Sequence, residues 1–212
     1  MINIKREIAE LLLQSKAIKL EPAKPFVWAS GWHSPIYCDN RITLSYPEVR
    51  KIISDRFVEI IKKEFPEPDL IAGVATGAIA QGALVADQLN LPFVYVRSSA
   101  KDHGRQNLIE GRIGENRNVV IIEDLVSTGG SSLKAANALK DAGCNVLGMV
   151  AIFTYGFPKA DENFKKENIR LITLSNYEAL LEQAIQTGYI TENQLKILQN
   201  WRKDQENWNI NP

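Results

Sequence analysis

Several features that would place this chain in a common protein class are scarce or missing. It has two cysteines and two histidines in 212 residues, and neither cysteine lies at metal-ligand spacing from another, so no disulfide framework is expected. Basic and acidic residues number 25 each, which leaves no excess charge for a general nucleic-acid binder. No apolar run approaches the roughly 20 residues that span a bilayer, and charges interrupt the apolar pattern of the amino terminus, which excludes a signal peptide. These absences predict a cytoplasmic protein that binds neither membranes nor nucleic acids.

Two common phosphate-binding motifs are missing as well. The chain contains no G-x-x-x-x-G-K-[ST] loop, and no G-x-G-x-x-G follows its first predicted core strand. Because the chain has no excess positive charge, an anionic ligand must be held locally, by a few cations and by backbone N–H groups.

From residue 69 onward, short apolar runs alternate with helical patterns. The predicted strands are 69–74, 93–96, 119–122, 146–153 and 169–174, and the predicted helices between them are 79–90 and 132–143. Such alternation is typical of an α/β protein with a central, mostly parallel sheet flanked by helices. Further helix starts are predicted by capping patterns at Ser45-x-x-Glu48 and Thr191-x-x-Gln194.

The chain shows no repeats and no low-complexity linker, so a single domain over 1–212 is predicted. Residues 21–46 are rich in aromatics, proline, glycine and serine and lack a helical period, which predicts short strands and turns. We expect a small hood formed by about 1–46 and part of the carboxyl terminus, over a ligand-binding core at about 47–175.

The segment VVIIEDLVSTGGS, residues 119–131, combines a buried strand, two adjacent acids and a small glycine-rich turn. Ligands of parallel sheets bind beyond the carboxyl ends of the strands, and a helix amino terminus offers N–H groups to a phosphate. Phosphate explains the turn but would be repelled by Glu123 and Asp124. A ribose phosphate explains both, because its hydroxyls can donate to carboxylates. The plainer alternative is a polar strand end followed by an ordinary turn.

This segment resembles the phosphoribosyl-diphosphate (PRPP) signature of type I phosphoribosyltransferases. In that family the two acids bind the ribose hydroxyls and the following loop wraps the 5-phosphate. The resemblance therefore implies PRPP binding by a continuous run of residues: Glu123, Asp124, Leu125, Val126, Ser127, Thr128, Gly129, Gly130 and Ser131.

A polar segment at 95–115 carries the pattern R-x-x-x-K-x-H-G and is similar to the catalytic lid of orotate phosphoribosyltransferases. The resemblance implies that Arg97, Lys101 and His103 bind the diphosphate, and that the lid, 98–115, reaches into the site of a neighbouring subunit. It also implies catalytic roles for Lys101, His103 and Asp124. Many relatives have a lysine where this chain has Ser98. The plainer alternative is a solvated surface loop.

The segment FVWASGWHSPIYCDNR, residues 26–41, resembles the amino-terminal hood of the same family. It implies orotate binding by residues of the hood and of the turn, namely Ser30, Gly31, Tyr37, Arg41 and Ser127. Some relatives have a lysine at the position of Ala29 or an arginine at that of Tyr155, so the partner of the orotate carboxylate stays open. A second glycine-rich turn, GVATGAIAQG at 73–82, has Thr76-Gly77 where some relatives have Tyr-Lys.

Hood, lid and signature occur in the family's order over nearly the whole chain. The resemblance implies transfer of the phosphoribosyl group from PRPP to orotate in UMP synthesis, by a homodimer. It also implies Mg²⁺ held mainly by substrate oxygens and water, with no metal ligand set of the protein's own. The alternatives are a purine or uracil phosphoribosyltransferase, and a PRPP-sensing regulator on the same fold that binds RNA or DNA.

Overall fold

The computed structural model describes residues 3–28, 31–99, 108–114, 116–205 and 208. Within these residues the helices are α1 Ile4–Gln14, α2 Pro47–Glu64, α3 Ile79–Leu89, α4 Gly130–Asp141, α5 Pro158–Lys166, α6 Tyr177–Gln186 and α7 Glu192–Lys203. The strands are β1 Ile18–Leu20, β2 Phe26–Val27, β3 His33–Ser34, β4 Ile36–Cys38, β5 Leu70–Val74, β6 Phe93–Val96, β7 Ile109–Glu110, β8 Asn118–Val126, β9 Asn145–Thr154 and β10 Leu171–Asn176.

A six-stranded sheet in the order β10-β9-β8-β5-β6-β7 forms the centre of the protein. Its neighbouring strands are parallel, except that β7 runs antiparallel to β6 at the edge. The predicted α/β class with a mostly parallel sheet is therefore confirmed. The parallel strands share one carboxyl edge, where ligands of such sheets bind.

Strand β8 shows how both faces of the sheet are buried. Val120 and Ile122 belong to the core packed against the α1, α2 and hood side, whereas Val119 and Ile121 belong to a second core with α4 and α5. All four side chains are fully buried, as expected of a strand covered by helices on both sides. This rigid central strand carries the two acids of the signature.

The hood consists of two short antiparallel ladders, β1 with β4 and β2 with β3, followed by a 3-10 helix at Asn40–Ser45. Aromatic contacts join it to the rest of the protein. The Trp28 ring lies 5.2 Å from that of Tyr155, directly after β9, and 5.6 Å from that of Trp201 in α7. The hood is thus held near the carboxyl end of β9 by a helix from the far end of the chain.

Two predicted boundaries were wrong. Strand β8 was expected to end at residue 122, with a loop over 125–131, but it runs to Val126 because β9 pairs with it as far as the Val126–Thr154 pair. The polar segment 95–115 was expected to be one loop, but β7 lies within it and pairs with β6. Ile109 is buried in the second core, which explains why this part joins the sheet.

Among the described residues, none of the helices has the length and apolarity needed to cross a membrane. Both cysteines are free thiols.

Candidate active site

Asp124 lies near the carboxyl end of β8, past the last residue pair with β5, which is Gly73–Ile122. Three surroundings converge on it. Its backbone carbonyl accepts a hydrogen bond of 2.6 Å from the side-chain amide of Asn40 in the hood. A Cβ on Gly77, in the second glycine-rich turn, would lie 1.9 Å from its Oδ2. Asp124 therefore connects the hood, the strand end and that turn.

Glu123 is more enclosed than its neighbour, with 3% of its surface exposed. Its Oε2 accepts a 2.7 Å hydrogen bond from the Ser132 hydroxyl, and its Oε1 accepts one of 2.9 Å from the Asp124 N–H. Both carboxyl oxygens are thus already bonded within the protein, and a ligand would share them with the Ser132 hydroxyl and the Asp124 N–H.

Burial dominates the acid–base properties of the pair. It raises the pKa of Glu123 to about 8, assisted by the negative charge of Asp124. Burial also raises the pKa of Asp124, against hydrogen bonds to its carboxylate and the nearby positive charge of Arg41. Because burial disfavours the ionised forms of both acids, the pair is suited to a ligand that brings positive charge or hydroxyl donors.

The pKa of Glu123 predicts how stability depends on pH. The folded state holds a proton that the unfolded chain releases near pH 4.5, so this group's stabilisation is complete below that pH and is lost as pH rises toward about 8. The melting temperature of the unliganded protein is expected to fall between pH 6 and 8, with a slope from this group of at most ~1.4 kcal/mol per pH unit. Thermal melts of the protein and of Glu123→Gln over this range measure it.

Glu123→Gln should flatten the pH dependence, because the amide cannot ionise. Glu182→Gln is the matched control, since that side chain is 59% exposed and pairs with Arg6 on the surface. If Glu123→Gln and the unchanged protein lose stability with the same slope, the buried proton is elsewhere.

The turn after β8 opens directly into α4. Gly129 caps the helix with a φ of +83° and no side-chain cap, and a Cβ there would lie 2.8 Å from the Phe164 ring. Asn163 holds the turn from α5 by donating 2.9 Å to the Thr128 carbonyl. A Cβ on Gly130 meets nothing within 4 Å, and Ser131 is exposed. The first N–H groups of α4 lack acceptors within the helix, and the open space at Gly130 and Ser131 leaves room for an anion beside them.

A cavity of about 430 Å³ lies at the carboxyl ends of β5 and β6, lined by Ala75, Thr76, Ile79, Tyr95, Arg97, Ser98, Ser99 and Glu110. Arg97 Nη1 lies 3.6 Å from Glu110 Oε1, too far for a hydrogen bond. Within the part of the chain that the structure describes, this buried nitrogen has no hydrogen-bond partner. A buried donor without an acceptor is costly, so the cavity is suited to an anionic ligand.

The hood residues named from the sequence differ in their surroundings. Tyr37 is 41% exposed and its ring lies 5.4 Å from that of Phe26. Arg41 forms a two-point ion pair with Asp39, at 2.7 and 2.8 Å. Gly31 has a φ of +86° and donates its N–H to the Trp28 carbonyl at 2.8 Å. Ser30, Lys101 and His103 lie outside the described residues.

Sequence reasoning missed Asn40 and Ser132 as site residues and left Gly77 without a role. Asn40 lies between Asp39 and Arg41 in the hood segment, and Ser132 directly follows the signature, so the only sequence signal for either residue was its neighbours. Lys134, also missed, donates from α4 to the Ser98 carbonyl at 2.7 Å. This hydrogen bond connects α4 to Ser98, the first residue of the lid.

Tyr155, at the position where some relatives have an arginine, is buried. Burial raises the pKa of its hydroxyl well above the ordinary value, so the side chain stays neutral. The neighbouring cation is Arg202, whose Nη2 donates to the Gly156 carbonyl at 2.9 Å and whose Nη1 pairs with Glu178. Arg202 therefore fastens α7 to the chain after β9.

The fold and the signature at its carboxyl edge define a phosphoribosyltransferase of type I. The model of the phosphoribosyl transferase domain family matches residues 42–182, so the chain belongs to that family. Over 99% of its length it is 57% identical to the whole orotate phosphoribosyltransferase of Porphyromonas gingivalis. Within the family it belongs to the orotate phosphoribosyltransferases.

Solved structures agree. The chain is 27% identical to the orotate phosphoribosyltransferase of Aeropyrum pernix, with a TM-score of 0.76 over 87% of this chain and 99% of that one. UMP synthase of Leishmania donovani matches 94% of this chain with 25% identity and a TM-score of 0.80, and the match spans 42% of that longer enzyme.

Proposed function

We propose that the protein transfers the 5-phosphoribosyl group of PRPP to orotate, forming orotidine 5′-monophosphate and diphosphate for UMP synthesis. The position of Asp124 supports this best. Its carboxylate lies against Gly77, next to Thr76 in the cavity wall, and its carbonyl is bound by the hood. One ligand laid across this point would reach the α4 turn, the cavity and the hood together.

The ribose lies at Asp124. Its two vicinal hydroxyls donate to the carboxylate, and the negative charge stabilises the ring as the bond from C1 to the diphosphate breaks. Glu123 was predicted to share this role. Glu123 is buried, and its first role is to accept a 2.9 Å hydrogen bond from the Asp124 N–H.

The 5-phosphate and the diphosphate of PRPP occupy two separate anion sites, the turn before α4 and the cavity. The 5-phosphate lies at residues 127–131, bound by the N–H groups at the start of α4 and by hydroxyls of the turn. The diphosphate lies in the 430 Å³ cavity, where Arg97 offers its unsatisfied donor. Lys101 and His103 of the lid add positive charge as the diphosphate leaves, and the closed lid excludes water.

Orotate lies beneath the hood, near Gly31, Tyr37 and Ser127. Arg41 is the cation assigned to its carboxylate, although its Nε and Nη2 already bond Asp39. Three of the five N–H donors of the guanidinium remain for a second anion. Orotate N1 forms the new bond to C1 of the ribose from this side as the C1–O bond to the diphosphate breaks, and the N1 proton leaves with the diphosphate.

Mg²⁺ is the cofactor. Among the described residues, no three His, Cys, Asp or Glu side chains group into a possible metal site. We assign the Mg²⁺ ligands mainly to substrate oxygens and water, because Mg²⁺ commonly binds substrate phosphates and keeps several waters. The raised pKa of both acids fits a nearby cation, since a positive charge would favour their ionised forms. When bound, Mg²⁺ neutralises charge on the diphosphate.

The decisive assay mixes the protein with PRPP, Mg²⁺ and one base, and follows the ultraviolet absorbance of orotate. Loss of orotate, with no turnover of uracil or hypoxanthine, is the expected result. Turnover of another base instead would identify a purine or uracil enzyme. PRPP binding without turnover of any base would favour a regulator.

Lys101→Ala is expected to lower kcat by at least about 100-fold, because lid cations act on the departing diphosphate. The melting temperature should stay within ~2 °C, since a lid lysine contributes little to the core. Steady-state kinetics and a thermal melt measure the two quantities. Equal losses of stability and activity would indicate a structural lysine.

The lid is assigned to the site of a partner subunit in a homodimer, and mixing inactive variants tests this. A mixed dimer of Lys101→Ala with Asp124→Asn has one site with an intact core and an intact lid if lids are exchanged. Activity should then return after the two are unfolded and refolded together. Without recovery in dimers shown to be mixed, each lid serves its own chain.

The cytoplasm is the compartment assigned to the protein, because its two cysteines are free thiols rather than a disulfide.

A further inference from the structure

Asn40 is a buried polar residue in the hood that no part of the proposed chemistry uses. It is 3% exposed, begins the 3-10 helix, and lies 84 positions before its partner, Asp124. Its Nδ2 donates to the Asp124 carbonyl at 2.6 Å, and its Oδ1 accepts from the Cys38 thiol at 3.4 Å. The Thr43 hydroxyl donates to the backbone carbonyl of Asn40 at 2.6 Å. Asn40 is therefore fixed by the hood on one side and bonded to β8 on the other.

The carbonyl that Asn40 binds lies where strand pairing ends on one side of β8. The ladder with β5 stops at Gly73–Ile122, two residues earlier, while the ladder with β9 continues. A backbone carbonyl that leaves a ladder inside the protein needs another donor. The Asn40 amide supplies it, so a side chain of the hood completes the hydrogen bonding of the catalytic strand end.

The orientation of the Asp124 carboxylate depends on this peptide. The backbone N–H of Leu125, in the same peptide unit as the Asp124 carbonyl, favours the ionised form of the Asp124 carboxylate, which lowers its pKa against the effect of burial. Because a peptide unit is planar, holding its oxygen also fixes its N–H. Arg41, the residue next to Asn40, adds positive charge near the same carboxylate.

We propose that Asn40 is a positioning residue that links the base-binding hood to the ribose site, by holding the Asp124–Leu125 peptide in the orientation that presents Asp124 to PRPP. The inference rests on the proposed function. It predicts that loss of the amide donor weakens PRPP more than orotate, although Asn40 belongs to the hood.

Asn40→Ala and Asn40→Leu remove the donor, the second with a side chain of similar size and no charge. Both are expected to raise the KM for PRPP about tenfold, equivalent to ~1.4 kcal/mol, and to weaken Mg²⁺–PRPP in calorimetry without orotate by a similar factor. The KM for orotate should change less than threefold. Calorimetry keeps the test open if turnover is too slow to measure.

Ser34→Ala is the matched control. Ser34 is fully buried in the hood, where its hydroxyl donates to the Ile36 carbonyl at 2.9 Å and accepts from the Ile36 N–H at 3.2 Å; among the described residues, its side chain bonds only within the hood. Trp28 Nε1 also donates to that carbonyl, at 3.1 Å, so it stays satisfied. Ser34→Ala should lower the melting temperature about as much as Asn40→Ala and leave the KM for PRPP within about twofold.

Two results would overturn the inference: PRPP affinity that is unchanged in Asn40→Leu, or a loss of the same size in Ser34→Ala. Either would leave orotate turnover by the unchanged protein intact, so the proposed function would stand. Absence of that turnover in the unchanged protein would instead refute the function itself.

Discussion

Gly77→Ala is expected to lower kcat/KM for PRPP by about 100-fold. A Cβ at this position would lie 1.9 Å from Oδ2 and 2.2 Å from Cγ of Asp124, so the carboxylate or the turn must move. The Asp124 carbonyl is held by Asn40 at 2.6 Å, which leaves the carboxylate to rotate away. A displacement of about 1 Å in a site can cost this much in rate. Steady-state kinetics with PRPP as the varied substrate measure the effect.

The double variant Gly77→Ala/Asp124→Asn tests whether the methyl group acts through Asp124. Two changes that act through one carboxylate should be less than additive, with a combined loss close to that of the larger single one. Fully additive losses, or a single Gly77→Ala that keeps a third or more of the activity, would contradict the assigned contact.

The signals that predicted the fold correctly are local. Thr191 and Gln194 form the predicted capping box at the start of α7, because the pattern contains both partners of the reciprocal hydrogen bonds. The pattern Ser45-x-x-Glu48 was wrong, because the 3-10 helix extends to Ser45 and the cap of α2 is Tyr46. Similarly, β8 outlasts its apolar run because β9 pairs with it, and that pairing depends on a distant segment.

The acids and the glycine turn of the site could be proposed from the sequence because they lie within one short segment. The contacts that orient them could not, because Asn40 and Gly77 reach Asp124 only after the sheet and the hood have formed. The count of charged residues also did not predict the protonation state of Glu123. Its pKa of about 8 depends on burial beneath α4 and on the charge of its neighbour.

Asp124→Asn is expected to reduce activity and raise stability together. The amide cannot supply the negative charge that stabilises the ribose ring, so kcat/KM should fall about 1,000-fold, equivalent to ~4 kcal/mol. Burial raises the pKa of this carboxyl, so its ionised form destabilises the unliganded protein near neutral pH. A neutral amide removes that cost. The melting temperature of the unliganded protein should therefore rise. Kinetics, calorimetry with Mg²⁺–PRPP and thermal melts at pH 7.5 follow the three quantities.

Asp55→Asn is the control for removing one negative charge. Asp55 pairs with Lys51 on the surface of α2 and is 43% exposed, so its loss should change activity and stability little. A site that uses its acids for catalysis tolerates their burial although it destabilises the fold, because the ligand supplies the missing positive charge. Lower activity and a higher melting temperature for Asp124→Asn, with little change in either for Asp55→Asn, would show this exchange of stability for activity. Unchanged affinity for PRPP in Asp124→Asn would contradict the assignment of the ribose to Asp124.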